Sequence, residues 1–303
     1  MGHAAKASRM IALVALCTLG CIKTAILNGQ IKGTRDGSVA IDTLSDFEVA
    51  RSIAYAGLGQ FEGMHELAPD NEDALFLLTK GWTASTFAFI EDDYELAVDA
   101  DDEMRADYHR ARARAAYDRA IHYGVTLLEI RAKGFDKARN NLASMKGYLS
   151  QFAKNDALNL LWVGQAWLAK ANVAKDDPAV VAELHVGEAL VERSVELDET
   201  AAYAAGRAAL GSFHARTAMA ELDVAFKHFL RANELTHGNA LLTKFAMAKT
   251  YFCMKGDKAS YEKTLREVVD AADVLPEQRL QNTIAKRRAR RYLGKSRMAA
   301  CGF

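Results

Sequence analysis

The sequence predicts an all-α protein made of paired helices, and three observations lead there. Only three prolines, Pro69, Pro178 and Pro276, interrupt 303 residues rich in Ala, Leu, Glu, Lys and Arg, side chains that lose little rotamer freedom in a helix. Valine and isoleucine are scattered rather than gathered into alternating runs, so essentially no sheet is expected. Small and large apolar residues recur at helical spacing along most of the chain.

At the amino terminus, Lys6 and Arg9 precede an apolar run from Met10 to Leu19, too short to cross roughly 30 Å of hydrocarbon as a helix. The layout is that of a secretory signal over residues 1–20. The residues Thr18-Leu19-Gly20-Cys21 resemble a bacterial lipoprotein box, in which the cysteine is diacylated and becomes the new first residue. Thr18 departs from the leucine usual at the first box position. Cys21 is the predicted lipidation site, since it falls at the cut point and is followed by a polar tail; several acyl chains on one residue would anchor it firmly where one chain is marginal. An ordinary cleaved signal is the alternative. The polar stretch "NGQIKGTRDGS" predicts a lipid-anchored tether over 21–44, and a single helical domain is expected over 45–303.

Within that domain, Gly57, Phe61, Met64 and Leu67 recur at steps of four, three and three before Pro69 ends the helix. The same small-x3-large-x2-small pattern returns as Ala113, Tyr117, Ala120, then Gly187, Val191, Ser194, then Ala225, Phe229, Ala232. Small residues let two helix backbones approach, and the large one fills the space between successive pairs. That is the pattern of the second helix of a tetratricopeptide (TPR) repeat. First helices are expected at Leu160, Val163, Gly164 and Trp167, and more loosely at Leu75, Leu78, Thr79 and Trp82. A further helix, "FAMAKTYF", is followed by Gly256, suited to a turn, and its partner should carry Tyr261, Leu265 and Val268. Val191, Phe229 and Leu265 stand 38 and 36 residues apart, close to the TPR period of about 34. The gaps of 56 and 74 residues between Phe61, Tyr117 and Val191 require inserted segments. The expectation is therefore a TPR-like bundle of decorated, irregular helix pairs; a helical bundle with accidental matches is the alternative.

Several chemistries are disfavoured. The chain has 39 basic and 39 acidic side chains, and loss of residues 1–20 removes only Lys6 and Arg9, so no electrostatic case for nucleic acid arises. Asp99, Asp101 and Glu103 alternate as in a calcium loop, but Met104 and Arg110 occupy the positions where such a loop needs glycine and an acid. The acidic run "EDDYELAVDADDE" is expected to be a solvated loop or helix end. The basic run Lys286 to Arg291 lies beside an apolar stripe of Leu280, Ile284 and Leu293, which predicts the charged outer face of a closing helix. His185 and Glu188 read as a surface pair. Cys253 and Cys301 are far apart with no metal-binding spacing, and no disulfide framework is expected. No hydrolase, phosphate-loop or dinucleotide motif is present, and neither catalysis nor a cofactor is expected.

Four stretches, "YDRAIHYGVTLLEIRAKGF", "LLWVGQAWLAKAN", "KDDPAVVAELHVGEALVERSVELDE" and "RLQNTIAKRRARRYL", together resemble the T component (TatT family) of TRAP, or tripartite ATP-independent periplasmic, transporters. The most specific positions are Asp177, Pro178, Glu188, Glu192 and Arg193, followed by Arg279, Asn282 and Arg288 in the closing helix. The resemblance implies an exported, periplasm-facing, all-helical lipoprotein, a homotrimer, and a hydrophobic cleft or pore through each protomer. It also implies a periplasmic solute-binding protein as partner and an apolar or amphipathic small-molecule ligand. In stacked helix pairs the first helices line the concave side, which makes Phe76, Lys80, Thr83, Leu161, Gln165 and Leu168 candidates for bordering the cleft. Phe76, Leu161 and Leu168 would give apolar contact and Lys80 or Gln165 would orient a polar head; the alternative is that inserted segments cover this face and make it core. The expected function is that of a non-enzymatic transporter accessory. The alternative is a general TPR scaffold for cell-envelope assembly.

Overall fold

The computed structural model describes residues 24–216 and 220–303. Among these, every regular element is a helix. Residues 24–37 form α1 and pass through a 3-10 turn, Ser38–Thr43, into α2 (Phe47–Leu67) and α3 (Glu72–Ser85). A π-helical turn, Thr86–Ile90, joins α3 to α4 (Glu91–Asp99), and α5 (Glu103–Arg131) follows. Two short helices, α6 (Phe135–Ala138) and α7 (Leu142–Leu149), precede α8 (Ala157–Val173). Beyond α9 (Pro178–Ala182) come α10 (Leu184–Leu197), α11 (Ala201–Arg216) and α12 (Leu222–Leu235). A second π turn, Ala248–Phe252, links α13 (Leu241–Met247) to α14 (Cys253–Lys255). The chain ends in α15 (Lys258–Asp270), α16 (Arg279–Tyr292) and α17 (Lys295–Ala300).

Local chemistry sets many of the boundaries. Asp46, Asn71, Asp102, Asn141, Asp177 and Asp257 each accept hydrogen bonds from backbone amides at a helix start, satisfying donors the helix cannot pair itself. Gly256 takes a left-handed backbone (φ 71°) between α14 and α15, the turn its position predicts. Ala202, Tyr203 and Ala204 are also left-handed, with φ of 47°, 58° and 58°, so regular α11 begins only after them. Each such residue costs about 1–2 kcal/mol when it is not glycine.

Packing follows the small-large-small pattern. Ala113, Tyr117, Ala120, Gly187, Val191, Ser194, Ala225, Phe229 and Ala232 are all buried, as are Tyr261, Leu265 and Val268. α3 packs on α5, α8 on α10 and α11 on α12, while α5 also meets α8 and α10 meets α11. The α8–α10 crossing is close: a Cβ on Gly164 would stand 2.9 Å from the Gly187 carbonyl oxygen, and one on Gly187 would stand 2.9 Å from Trp167 Cβ.

Three expectations are corrected. From residue 24 onward the tether expected over 21–44 is helix and turn, with Ile31 fully buried. Arg35 donates to Asp73 at 2.6 Å and lies 3.8 Å from the Phe76 ring centre, while Asn71 donates to Asn28 at 2.9 Å. Arg35 and Asn28 thus bond to α3 and its N-cap, and the packed domain includes this stretch. Cys253 and Cys301 form a disulfide with Cα atoms 5.1 Å apart, because α14 and the chain end, 48 residues away in sequence, meet over the core formed by α13, α15 and α16. His185 does not pair with Glu188; its ring nitrogens lie 3.0 and 2.9 Å from the carbonyl oxygens of Ala182 and Arg139.

The fourth correction concerns both charge runs. Asp101, Glu103 and Arg290 are exposed as expected, but Asp92, Glu95 and Asp99 pair with arginines from the end of the chain, so most of each run faces the other rather than solvent. Arg287 donates to Asp92 at 2.8 Å, Arg291 to Glu95 at 3.0 Å and Arg297 to Asp99 at 2.6 Å, and Arg291 also bonds Asp92. Lys249 of the second π turn reaches Glu95 at 3.0 Å. The Arg288 side chain is fully buried and donates to the Phe87 carbonyl within the first π turn. This ionic clasp joins α4 to α16, so the last long helix returns to the beginning of the helix succession.

Candidate functional site

The structure divides the six predicted cleft residues. Phe76 is buried beneath Arg35, and Thr83 is buried with its hydroxyl donating to the Thr79 carbonyl at 2.7 Å. Leu161 has no exposed surface and packs with Val191 and Leu210. These three are core, so the expectation that they border an open cleft is corrected. The causes are α1, which lies along α3, and α11, which leans on α8. Lys80, Gln165 and Leu168 remain half-exposed. Lys80 Nζ sits 3.6 Å from Asp42 and 5.9 Å from the Trp162 ring centre. Asp42 also accepts from Gln281 of α16 at 2.6 Å, so the 3-10 turn bridges α3 and α16.

The motif positions perform identifiable structural work. Asp177 caps α9 by accepting from Ala179 N at 3.0 Å, with Pro178 at the first helical turn where a missing N–H costs nothing. Arg193 donates to the Phe152 carbonyl at 3.0 Å and to Glu196 at 2.9 Å. Asn282 accepts from Leu241 N at 2.9 Å and donates to the Asn239 carbonyl at 3.1 Å, fixing the start of α13 against α16. Arg279 bonds Asp273 at 2.5 Å and the Thr43 carbonyl at 3.1 Å. Glu188 and Glu192 are half-buried on α10; burial, then the negative charge of Glu192, raises the Glu188 carboxyl. Cys21 lies outside the described residues.

Electrostatically the clasp dominates. Burial alone would push the Glu95 carboxyl up, but Lys249, Arg288 and Arg291 together outweigh it and hold the group well below the usual carboxylate range. Both π turns border this cluster: one supplies the Phe87 carbonyl to Arg288 and the other supplies Lys249. A smaller hub sits between α2, α3 and α5, where Glu62 accepts from Trp82 at 2.9 Å, from Arg119 at 2.6 Å and from Tyr123 at 2.5 Å. Burial raises the Glu62 carboxyl, yet these donors bring it to about 2. Sequence reasoning missed both features. The only available signal was that the acidic and basic runs both occur in otherwise amphipathic helices.

Among the described residues no group of His, Cys, Asp and Glu is arranged to hold a metal ion, and no helix is long and apolar enough to cross a membrane. The family model of the TRAP transporter T-component matches residues 43–299 of the 303. The chain therefore belongs to the TRAP transporter T-component family, a family of transporter accessories. No curated protein matches it.

Proposed function

We propose that the protein is an exported lipoprotein that docks the periplasmic solute-binding protein of a TRAP transporter and passes an apolar or amphipathic ligand along the face of its first helices. The observation that carries the reading is the family match across residues 43–299, which leaves only the termini outside it. The Cys253–Cys301 disulfide adds support, because such bonds persist in oxidising compartments such as the periplasm and are rare in the cytosol. In this reading the helix pairs are TPR-like repeats, closed by the ionic clasp, and Lys80, Gln165 and Leu168 border the ligand path. Cys21 carries the anchor, and the protomers assemble as a homotrimer.

The test is a pull-down of the tagged mature protein from its own envelope extract, with mass spectrometry of the captured proteins. Recovery of a solute-binding protein is expected. Recovery of envelope assembly factors without one would refute the docking role and favour a general scaffold.

A further inference from the structure

An anchor at Cys21 would leave the domain almost no freedom to stand away from the membrane. The chain is helical from Thr24 onward, three residues after Cys21. A chain advances at most about 3.6 Å per residue, so Thr24 stands within roughly 11 Å of Cys21. Helical rise adds only about 1.5 Å per residue, which keeps Ile26 within about 14 Å of the anchor. An acylated cysteine sits at the inner edge of the headgroup layer, since its chains occupy the hydrocarbon, and that layer is about 5–8 Å deep on each side of a bilayer. Even at full stretch, Ile26 clears the headgroups by only a few ångströms.

The contacts of α1 identify which end of the domain this is. Asn71, the N-cap of α3, donates to Asn28 at 2.9 Å, and Arg35 donates to Asp73 at 2.6 Å, so α1 runs beside α3 in the same direction. The first turn of α1 therefore projects past the start of α3, at the turn that joins α2 to α3. Two large apolar side chains are exposed there: Ile26 at 58%, two residues before Asn28, and Leu67 at 70%, four residues before Asn71. With consecutive Cα atoms 3.8 Å apart, connectivity holds Ile26 within about 8 Å of Asn28 and Leu67 within about 15 Å of Asn71. Exposed apolar residues scattered singly call for no partner, but these two stand where the chain arrives from the anchor. The exposed carboxylates of Glu66 and Asp70 flank Leu67, so attraction to anionic lipid does not hold this end, and apolar contact must.

We propose that the start of α1 and the α2–α3 turn form the membrane-contacting end of the protein, with Ile26 and Leu67 set among the headgroups and upper acyl chains of a lipid surface. Burial of these two side chains adds to the hold of the anchor and fixes which end faces the lipid. Tyr108, itself 60% exposed, lies about 35 Å along α5 from Arg131, whose guanidinium reaches Glu72 at 3.3 Å beside this end. It stays in water. The proposal rests on lipidation of Cys21 and holds whichever partner docks.

The test reconstitutes the acylated protein into phosphatidylcholine vesicles, with an environment-sensitive fluorophore on Ile26→Cys, Leu67→Cys or Tyr108→Cys. Cys253 and Cys301 are paired and an acylated Cys21 carries no free thiol, so the introduced cysteine takes the label. Labels at Ile26 and Leu67 should shift to shorter emission wavelength and lose most of their emission when the lipid headgroups carry a nitroxide, while the label at Tyr108 does neither. The pattern should persist at about 1 M salt, where charges are screened beyond about 3 Å. Labels at Ile26 and Leu67 that behave like the one at Tyr108, or all three quenched alike, would overturn the proposal. A wavelength shift at Leu67 without nitroxide quenching would give this end to a second copy or another protein and remove the lipid contact. Quenching lost at high salt would replace the apolar contact by a charged one. Absence of acyl chains on Cys21, read by mass spectrometry of the protein from its own envelope, defeats the anchor itself; acylated, vesicle-bound protein with unquenched labels defeats this proposal alone.

Discussion

Glu95→Ala should be among the most damaging single changes in this protein. The carboxylate is only 4% exposed and accepts from Lys249 at 3.0 Å, Arg291 at 3.0 Å and Tyr292 at 2.9 Å, with Arg288 Nε at 3.9 Å. Its removal takes away the one carboxylate that Lys249 meets among the described residues and leaves Arg288 to Glu91 and Arg291 to Asp92 and Asp99, and removing one partner of a buried ion pair costs about 3–5 kcal/mol. At about 2–4 °C per kcal/mol for a large domain, the melting temperature should fall by roughly 6–20 °C. Glu95→Gln keeps an acceptor for Tyr292 but not the charge, and should lie between wild type and alanine. The sign with pH is fixed by the depressed carboxyl. Its stabilisation is fully present above the unfolded value near 4.5 and is lost as pH falls from there toward the folded value. The gap between wild type and Glu95→Gln in thermal unfolding followed by circular dichroism should therefore be constant from pH 6 to 8, to order of magnitude, and close below about 4.5. A loss under about 1 kcal/mol for Glu95→Ala, as for an exposed ion pair, would refute the clasp as the element that closes the fold.

Other changes give independent checks. Leu161→Asp places a charge in a fully buried position and should unfold the protein by circular dichroism, whereas Gln165→Ala should leave the unfolding free energy within about 1 kcal/mol of wild type. Cys253→Ser opens a bridge across 48 residues, worth about 4 kcal/mol by loop-closure entropy, and thiol titration under denaturing, non-reducing conditions should find one free thiol more than in wild type. Gly187→Ala puts a Cβ 2.9 Å from Trp167 Cβ and 3.0 Å from Leu168, and should cost about 1–3 kcal/mol despite the better helix propensity of alanine. Cys21→Ser should release the protein from the membrane pellet on fractionation; unchanged attachment would dispose of the lipid anchor.

What the sequence revealed, and what it concealed, divides along contact range. The buried trio Ala225, Phe229 and Ala232 and the turn at Gly256 depend on neighbours three to seven positions away, so periodicity alone exposed them. The clasp depends on Asp92 meeting Arg291, 199 residues later. Viewed locally, each charge run looks solvated, since nothing within one helix says that its complement will arrive from the far end of the chain. The disulfide was hidden for the same reason. Among the cleft candidates, helix-face arithmetic could group residues on one face but could not show that α1 would lie over Phe76 or that α11 would close on Leu161.

Long-range pairing also accounts for the tolerance of irregular spacing. A succession of stacked helix pairs ordinarily needs polar capping units, because each end exposes an apolar face that no further repeat covers. Here the two ends cover each other: Leu280 and Ile284 of α16 pack with Phe47 and Ala50 of α2, and the Arg287 guanidinium stands 4.5 Å from the Phe47 ring centre. Once closure is fixed by charge pairing between α4 and α16, the intervening pairs need only fill the circuit, not repeat at a constant period. The insertion of α6 and α7 before α8 and the left-handed turn before α11 are then adjustments of rise and angle within a closed path. Pairing of α2 and α4 with α16 thus joins the two ends of the helix succession whatever the spacing of the helices between them.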